Sequence, residues 1–506
     1  MRFCTKVSKK LLYYFTAFLF LLSSSIYTQT NAEILSYAEY IERIKNIIPE
    51  MKLTAIQESN AYNNLTKAKS SGDVKFDLQA GAIGTQKHFD EYNIIPTADF
   101  MHNGMRIGAG FSGLIPYSGT RWSVKIQHDS YFGDLKMGEV EIPVNTPLGT
   151  VVGRLPNLST NNFKYYAPSI EIQIAQPILR DFFGKLDMYP IKDAEYQLTI
   201  AKLKRIIDDN SVLTSYQKIY YQWIMSQKLI KLYDEMIREA KAFENQIYKR
   251  YTSGVIDNDA YQNARRQTLK YREARNKSEL ILKKIIRNIQ FFIPEENVEP
   301  NEDDWESMLE TSINTKINVV PFLESAQGQM AYQLKLRSEY ALSIMKNNSL
   351  PDLSIVGSVS LSTLDDSGYF NSFSTMTNVE YFVGLMFSYP IGGRDAKAKM
   401  EDAYNALTAV TADFDRVNRD FDVQIGTYYD EFEAYKTMLE DKKLEVQALA
   451  SRVRTQNERF RQGRLPVDEI INARLDLVNA RAELLNLEYM IISTVMDYNS
   501  LVLLNN

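Results

Sequence analysis

The stretch GRLPVDEIINAR, residues 463–474, has the same form as GVIDNDAYQNAR, residues 254–265. Each runs Gly, eight residues, then Asn-Ala-Arg. Each places an Asp five positions after its glycine, at Asp259 and Asp468, and an aromatic ring three before it, at Tyr251 and Phe460. The flanking sequence agrees as well. From Ile191 to Arg250 there is neither glycine nor proline, and from Arg394 to Gln462 only Gly426 interrupts a run of helix formers. Such a run predicts a helix of roughly 90 Å, beyond ordinary globular helices and in the range of a coiled coil or a helical tube. Past each glycine a second helix is expected, over about 257–292 and 467–504, with Leu280, Ile285, Ile289 and Phe292 in one and Leu477, Leu484, Ile491, Met496 and Leu501 in the other. Each quoted stretch is therefore a helix-to-helix turn. Glycine stops the incoming helix, Pro466 suits the first turn of the outgoing one, and Asp259, Asp468 and Glu469 suit its positive end.

Each pair of helices is preceded by alternating sequence. In DLSIVGSVSLS, residues 352–362, Leu353, Ile355, Val359 and Leu361 share one face and serines the other. In VEYFVGLMFSY, residues 379–389, Val379, Tyr381, Val383, Leu385, Phe387 and Tyr389 share a face. VKFDLQA (74–80) and SIEIQIAQ (169–176) alternate in the same way. Strands with one apolar and one polar face fit a membrane barrel with a wet lumen, and equally a soluble sandwich with one face in the core. The first half also holds MRIGAGFSGL and RWSVKIQH around the turn PYSGT, so four or six strands per chain are possible. The following GEVEIPVNTPLGTVVGRLPNLSTNN (138–162) reads as loop.

The order helix, strand, strand, long helix, turn, helix occurs twice, which points to duplication. The expected bounds are a first repeat at 33–293 (strands about 73–177, helical hairpin about 190–292), an acidic linker at 294–318, and a second repeat at 319–506 (strands about 352–390, hairpin about 394–504). Residues 1–32 have the form of a signal peptide, with a basic start, the apolar run LLYYFTAFLFLL and small residues at Thr30–Ala32. A membrane anchor helix is the alternative, though the run is short for a span. The single cysteine, Cys4, precedes that run, so neither a disulfide nor thiolate chemistry is expected in the mature chain. Without a later apolar helix, entry into a membrane requires a closed barrel.

Charge and motifs exclude several functions. The formal net charge of −5 argues against nucleic acid as a partner. GAGFSG (108–113) has dinucleotide-motif spacing but strand-like flanks, and reads as strand glycines. His88, His102 and His128 lack a metal-site spacing, and the pairs Asp303-Asp304 and Asp365-Asp366 read as solvated linker or loop acids. No enzyme, no cofactor and no metal site are expected.

At IEIQIAQPILRDFFGK (170–185), VGLMFSYPIGGRDAKAKMEDAY (383–404) and RFRQGRLPVDEIINARLDLVNARAELL (459–485) the chain resembles the TolC family of outer membrane efflux proteins. Gln176-Pro177-Ile178-Leu179-Arg180 is similar to the family's strand-end pattern, and Pro390 to Arg394 to the start of its second long helix. The resemblance covers essentially the whole mature chain, twice. It implies an α+β membrane protein: a trimeric β-barrel, usually of twelve strands, with a long α-helical periplasmic tube and an internal two-fold repeat. It implies a homotrimer in outer membrane lipid, extending into the periplasm, that serves as the exit duct of a tripartite efflux pump or type I secretion system. The partners would be a periplasmic adaptor and an inner-membrane pump, meeting the turns at Gly254, Val255, Ile256, Gly463, Arg464 and Leu465.

The family's gate carboxylates lie six and nine residues after the second turn glycine, which are Glu469 and Asn472 here, with Asp468 adjacent. In the first half those positions are Ala260 and Asn263. Only one matched position is acidic, so a looser or differently bonded gate is expected, and Glu469 is either lumen-facing or a helix-end acid. Phe460 holds an aromatic position where Tyr would donate a hydrogen bond and Phe cannot. The competing readings are a periplasmic coiled-coil adaptor, which should have one helical hairpin and a soluble β-domain, and a structural coiled-coil protein, which should lack two-faced strands.

Overall fold

The structure, a computed structural model, describes residues 33–89, 98–137, 140–146, 149–155, 159–294 and 298–502. The expected signal peptide lies outside them. In chain order the elements are β1 (Glu33–Leu35), α1 (Tyr37–Lys45), α2 (Pro49–Lys69), β2 (Lys75–Phe89), β3 (Ala98–Ile115), β4 (Thr120–Met137), β5 (Val140–Thr146), β6 (Gly149–Leu155) and β7 (Ser159–Pro177). There follow α3 (Tyr189–Thr252), α4 (Asn258–Gln290), β8 (Val298–Pro300), α5 (Asp303–Asn314), α6 (Ala326–Asn348), β9 (Asp352–Ser362), β10 (Asn378–Ser388), α7 (Arg394–Arg461) and α8 (Val467–Val502). The two long helices have 64 and 68 residues. Among the described residues no helix is long and apolar enough to cross a membrane.

The chain divides into two compact units. One holds Thr54–Ile206 and Phe322–Phe421, and so contains the main sheet. Its strands run in the order β10-β9-β7-β4-β3-β2, with every neighbouring pair antiparallel. Six strands thus share one sheet, which settles the choice between four and six. The sheet is open, with β2 and β10 at its edges. The segment 138–162, expected to be loop, instead carries a separate antiparallel hairpin, β5 with β6. Pro143 sits in it opposite Val152, where a two-stranded ribbon tolerates the missing N–H. Beside the sheet in sequence, Ser325 caps α6 by accepting from Gly328 N at 3.0 Å. Arg337 of α6 donates twice to the Asp193 carboxylate of α3, at 2.6 and 3.0 Å.

The other unit holds the described residues up to Leu53, those of Ile207–Pro321 and those from Asp422 on. Its largest core cluster joins Leu35, Tyr40, Ile44, Tyr220, Trp223, Ile224, Ile289, Trp305 and Ile492. Aromatic edges supply much of the contact, as in Tyr220 against Tyr221, with centroids 5.4 Å apart at 86°. The acidic segment expected to link two repeats is folded into this core. Its Asp303, Asp304 and Glu306 occupy the first turn of α5, where the helix dipole favours acids. Trp305 is 1% exposed. Asp304 is half-buried and bonded into the core: its Oδ2 accepts from Tyr37 N at 2.7 Å and from the Tyr220 hydroxyl at 2.6 Å. Burial and that bond raise the Tyr220 phenol far above its ordinary value, so it stays a donor.

Candidate functional site

Two places carry functional geometry, one in each unit. The first is the sheet. Its register sets Phe76, Phe111, Val124, Ile172, Val359 and Tyr381 directly opposite one another across all six strands. The next row on that face is Leu78, Ala109, Ile126, Ile170, Leu361 and Val379. One residue along, where the pleat turns side chains to the other face, the row is Asp77, Gly110, Lys125, Glu171, Ser360 and Glu380. The row beyond is Gln79, Gly108, Gln127, Ser169, Ser362 and Asn378. The apolar rows are not a core, since Tyr381 is 80% exposed, Phe76 58% and Phe111 51%. A contiguous apolar face of this extent marks a surface that meets lipid or protein.

The glycines of GAGFSG lie within β3 and pair with β2 and β4, as strand glycines. On the polar face, Arg106 makes two 2.8 Å bonds to Asp129, which also accepts from Gln127 and from the Tyr131 hydroxyl at 3.0 Å. His88, His102 and His128 fall in β2, β3 and β4. His128 is 3% exposed, because the segment between β9 and β10 packs on it. Its Nε2 lies 3.0 Å from Tyr369 O and 3.2 Å from Ser372 Oγ. Asp365, partly exposed in that loop segment, also organises it, accepting from Ser367 N at 2.9 Å, Ser367 Oγ at 2.7 Å and Thr375 Oγ1 at 2.6 Å. These donors pull its carboxyl down to about 2. Among the described residues no group of three or more His, Cys, Asp or Glu is placed to hold a metal ion.

The second place is the pair of helix-to-helix turns. Gly254 and Gly463 take left-handed φ of 71° and 74°. Gly254 N donates to Tyr251 O at 2.9 Å and Val255 N to Arg250 O at 2.9 Å. Gly463 N donates to Phe460 O at 3.0 Å and Arg464 N to Arg459 O at 2.9 Å. The two turns are the same C-terminal helix stop, in which left-handed glycine lets two amides return to the last free carbonyls. Ile256 and Leu465, each two residues after its glycine, pack against one shared cluster of Phe243, Ile247, Ala264, Phe460, Val467, Ile470 and Ile471. Val255 is 72% exposed, and Arg464 is exposed too, so each turn shows its tip and anchors the next residue. The alanines of the two Asn-Ala-Arg motifs, Ala264 and Ala473, are 1% and 0% exposed. Here the motif marks close approach of helices, a role the spacing alone did not reveal.

Asp468, Glu469 and Asn472 are all exposed. The structure ties Asp468 to the first turn: Asn263 Nδ2 donates to Asp468 Oδ1 at 2.9 Å. Asn263 also reaches Asp259 of its own helix at 3.5 Å. Phe460 is placed differently from the other three, 3% exposed between hairpins. Its ring lies 5.3 Å from that of Phe243, under the Arg250 guanidinium at 4.8 Å. Arg474, the arginine of the second motif, is half-buried over Phe243 at 4.6 Å and donates to Asn457 Oδ1 at 2.7 Å. Desolvation lowers the pKa of Arg474 from its ordinary value. Arg265, its counterpart, is exposed.

No protein-family model and no curated protein sequence matches the chain. Solved structures do. The chain is similar to the transmembrane channel CusC, with TM-score 0.62 and 10% identity over 94% of this chain and 95% of that one. It is similar to the CmeC outer membrane channel of Campylobacter jejuni, with TM-score 0.59 and 13% identity over 94% and 89%. The outer membrane protein VceC of Vibrio cholerae gives TM-score 0.60 and 13% identity over 91% and 94%. The fold is that of the TolC-like outer membrane channels. A soluble sandwich would bury apolar rows that are exposed here. A periplasmic adaptor, with its single hairpin, does not fit a chain that carries two matching turns and a six-stranded sheet with one apolar and one polar face.

Proposed function

We propose that the protein is the outer membrane channel of a tripartite efflux pump or type I secretion system, a passive exit duct from periplasm to exterior. One observation carries this reading: rows of apolar side chains cross all six strands on one face, exposed, while rows of polar side chains cross the other. Lipid outside and water inside is the environment that such a wall suits. The open edges at β2 and β10 cannot stand in lipid, where every backbone group needs a partner. Pairing β10 of one copy with β2 of the next removes both edges. Three copies then contribute eighteen strands, more than the twelve that the family resemblance implies. Barrels of about 16–18 strands enclose an aqueous channel.

The long helices form the periplasmic tube in this reading, and duplication of one ancestral unit accounts for the two identical turns. Six turns per trimer surround the periplasmic mouth. Val255, Ile256, Arg464 and Leu465, beside Gly254 and Gly463, meet the adaptor, and Asp468, Glu469 and Asn472 line the gate. Phe460 serves that gate from inside the hairpin packing, as a wedge rather than a hydrogen-bond donor. The reading involves no catalysis and no cofactor. Fractionation and planar-bilayer recording test it together. The protein should partition with the outer membrane, need detergent, and conduct ions as a trimer. A soluble monomer in the periplasmic extract would defeat the proposal.

A further inference from the structure

We propose that the helical core binds one small anion, a halide such as chloride, in a cavity lined by Gln267, Tyr271 and Arg474. Nothing in this depends on the channel reading above. The cavity has a volume of about 20 Å³ and lies where α3, α4 and α8 meet. Met236 and Phe243 of α3 and Ile471 of α8 give it apolar walls. Gln267 and Tyr271 come from α4, where a spacing of four puts them on one face. Arg474 comes from α8, in the other hairpin.

Three donors converge there. Among the described residues, Gln267 Nε2, Tyr271 Oη and Arg474 Nε are buried and make no hydrogen bond. Gln267 is 6% exposed and Tyr271 4%. Their closeness shows in the phenol. Burial raises Tyr271 to about 12, while the Gln267 amide and the Arg474 charge act on it in the opposite direction. A buried donor left unpaired is costly, and native interiors rarely keep one. Three around a single cavity specify an acceptor that comes from outside the chain.

Charge and size select a halide. Arg474 gives its Nη2 to a neutral acceptor, Asn457 Oδ1, at 2.7 Å. The carboxylate that acts on it, Glu239, lines the cavity but is exposed to water. The guanidinium is therefore desolvated without a buried counter-charge. A water molecule would bring two donors of its own, and of the three side chains only the phenol oxygen can receive one. A halide only accepts. About 10–15 Å³ holds one water, so 20 Å³ has no room for sulfate, phosphate or a carboxylate. The site occurs in one hairpin pairing only. Arg265, the counterpart of Arg474, is exposed, and the positions that match Gln267 and Tyr271 in the second half are Asp476 and Ala480. The bound ion ties the two hairpins together through donors on both.

The test uses full-length protein in detergent. Melting is followed by helical circular dichroism as gluconate is replaced by chloride at constant ionic strength, and bromide-soaked crystals are measured by anomalous scattering. A saturating rise in melting temperature is expected, with a bromine peak among the three donors. Tyr271→Phe and Gln267→Met each remove a donor at nearly constant volume, and each should lose most of that rise. General salt effects would be shared by all three proteins. No rise in the parent, or a cavity that holds only water, overturns the proposal. A bromine peak without a rise in solution marks an adventitious ion only, and overturns it as well. A full rise retained in the variants places the ion elsewhere and removes these residues from its site. The parent alone decides whether the ion is bound, so a variant that fails to fold leaves the test standing.

Discussion

Asn263 Nδ2 lies 2.9 Å from Asp468 Oδ1, and the two residues belong to different helical hairpins. An exposed bond from a neutral amide to a carboxylate contributes about 1 kcal/mol or less, so its loss should loosen the mouth without unfolding it. Asn263→Ala and Asp468→Ala are expected to raise single-channel conductance in planar bilayers, each by a similar factor. Their double variant should add little to either, because one bond is removed in all three.

Glu469 carries a different expectation, since it is exposed and lies beside the bonded Asp468. If it faces the water path, Glu469→Gln lowers the preference for cations, read as a shift in reversal potential across a salt gradient. Conductance should change less than with Asp468→Ala. Unchanged selectivity in Glu469→Gln and in Asp468→Asn alike would remove both acids from the gate.

The turn glycines and the buried alanines separate backbone strain from packing. A Cβ added at Gly254 or Gly463 meets nothing within 4 Å, so only the left-handed φ opposes it. Each Gly→Ala change should cost roughly 1 kcal/mol and leave the trimer formed. Ala473→Leu, at a position with 0% exposure, forces two helices apart and should cost about 1–3 kcal/mol. Thermal melting followed by helical circular dichroism orders the three variants.

Much of this architecture could be read before any coordinates, for reasons that particular residues make clear. The expected helix over 191–250 became Tyr189–Thr252, and that over 394–462 became Arg394–Arg461, because long runs without breakers have no competing local structure. The strand faces were legible from strict alternation, as in Ser358, Val359, Ser360 and Leu361. The β5–β6 hairpin was not, since Pro143 and Pro147 and scattered glycines mimic a loop. Nor was the fold of the acidic segment, where Asp303 and Asp304 suggested solvation and the single Trp305 supplied the buried anchor. At the turns the motif located the residues but not their directions. Phe460 and Tyr251 occupy matching positions, yet one is 3% and the other 37% exposed, because only Phe460 faces a neighbouring hairpin of the same chain.

The two faces of the sheet should answer oppositely to one substitution. Val359 lies between Ile172 and Tyr381 in an apolar row, and Ser360 between Glu171 and Glu380 in a polar one. Lysine on the lipid side of a barrel costs about 2–4 kcal/mol near the bilayer midplane. Opposite two carboxylates it is instead a favourable cross-strand partner. Val359→Lys should therefore sharply reduce the amount of heat-modifiable trimer recovered from outer membranes. Ser360→Lys should leave that amount unchanged. Equal loss from both would mean that the exposed apolar rows do not meet lipid.

Trp305 donates its indole N–H to Glu488 Oε2 at 2.9 Å in the helical core, and burial raises the Glu488 carboxyl above its ordinary 4.5. Desolvation leads, and the indole bond and the nearby Lys228 and Lys443 act against it without cancelling it. The sign of the linkage follows. Folding disfavours the ionised form, so the group costs stability above its raised folded pKa. That cost disappears as pH falls through the folded value toward 4.5. Glutamine keeps an oxygen to accept from Trp305 and carries no charge. Glu488→Gln should therefore be more stable than the parent at pH 7.5 and match it near pH 4.5. Melting followed by helical circular dichroism at both pH values measures the difference. A variant that loses stability equally at both pH values would show that the charge on Glu488 is irrelevant and that an amide does not replace the carboxyl group beside Trp305.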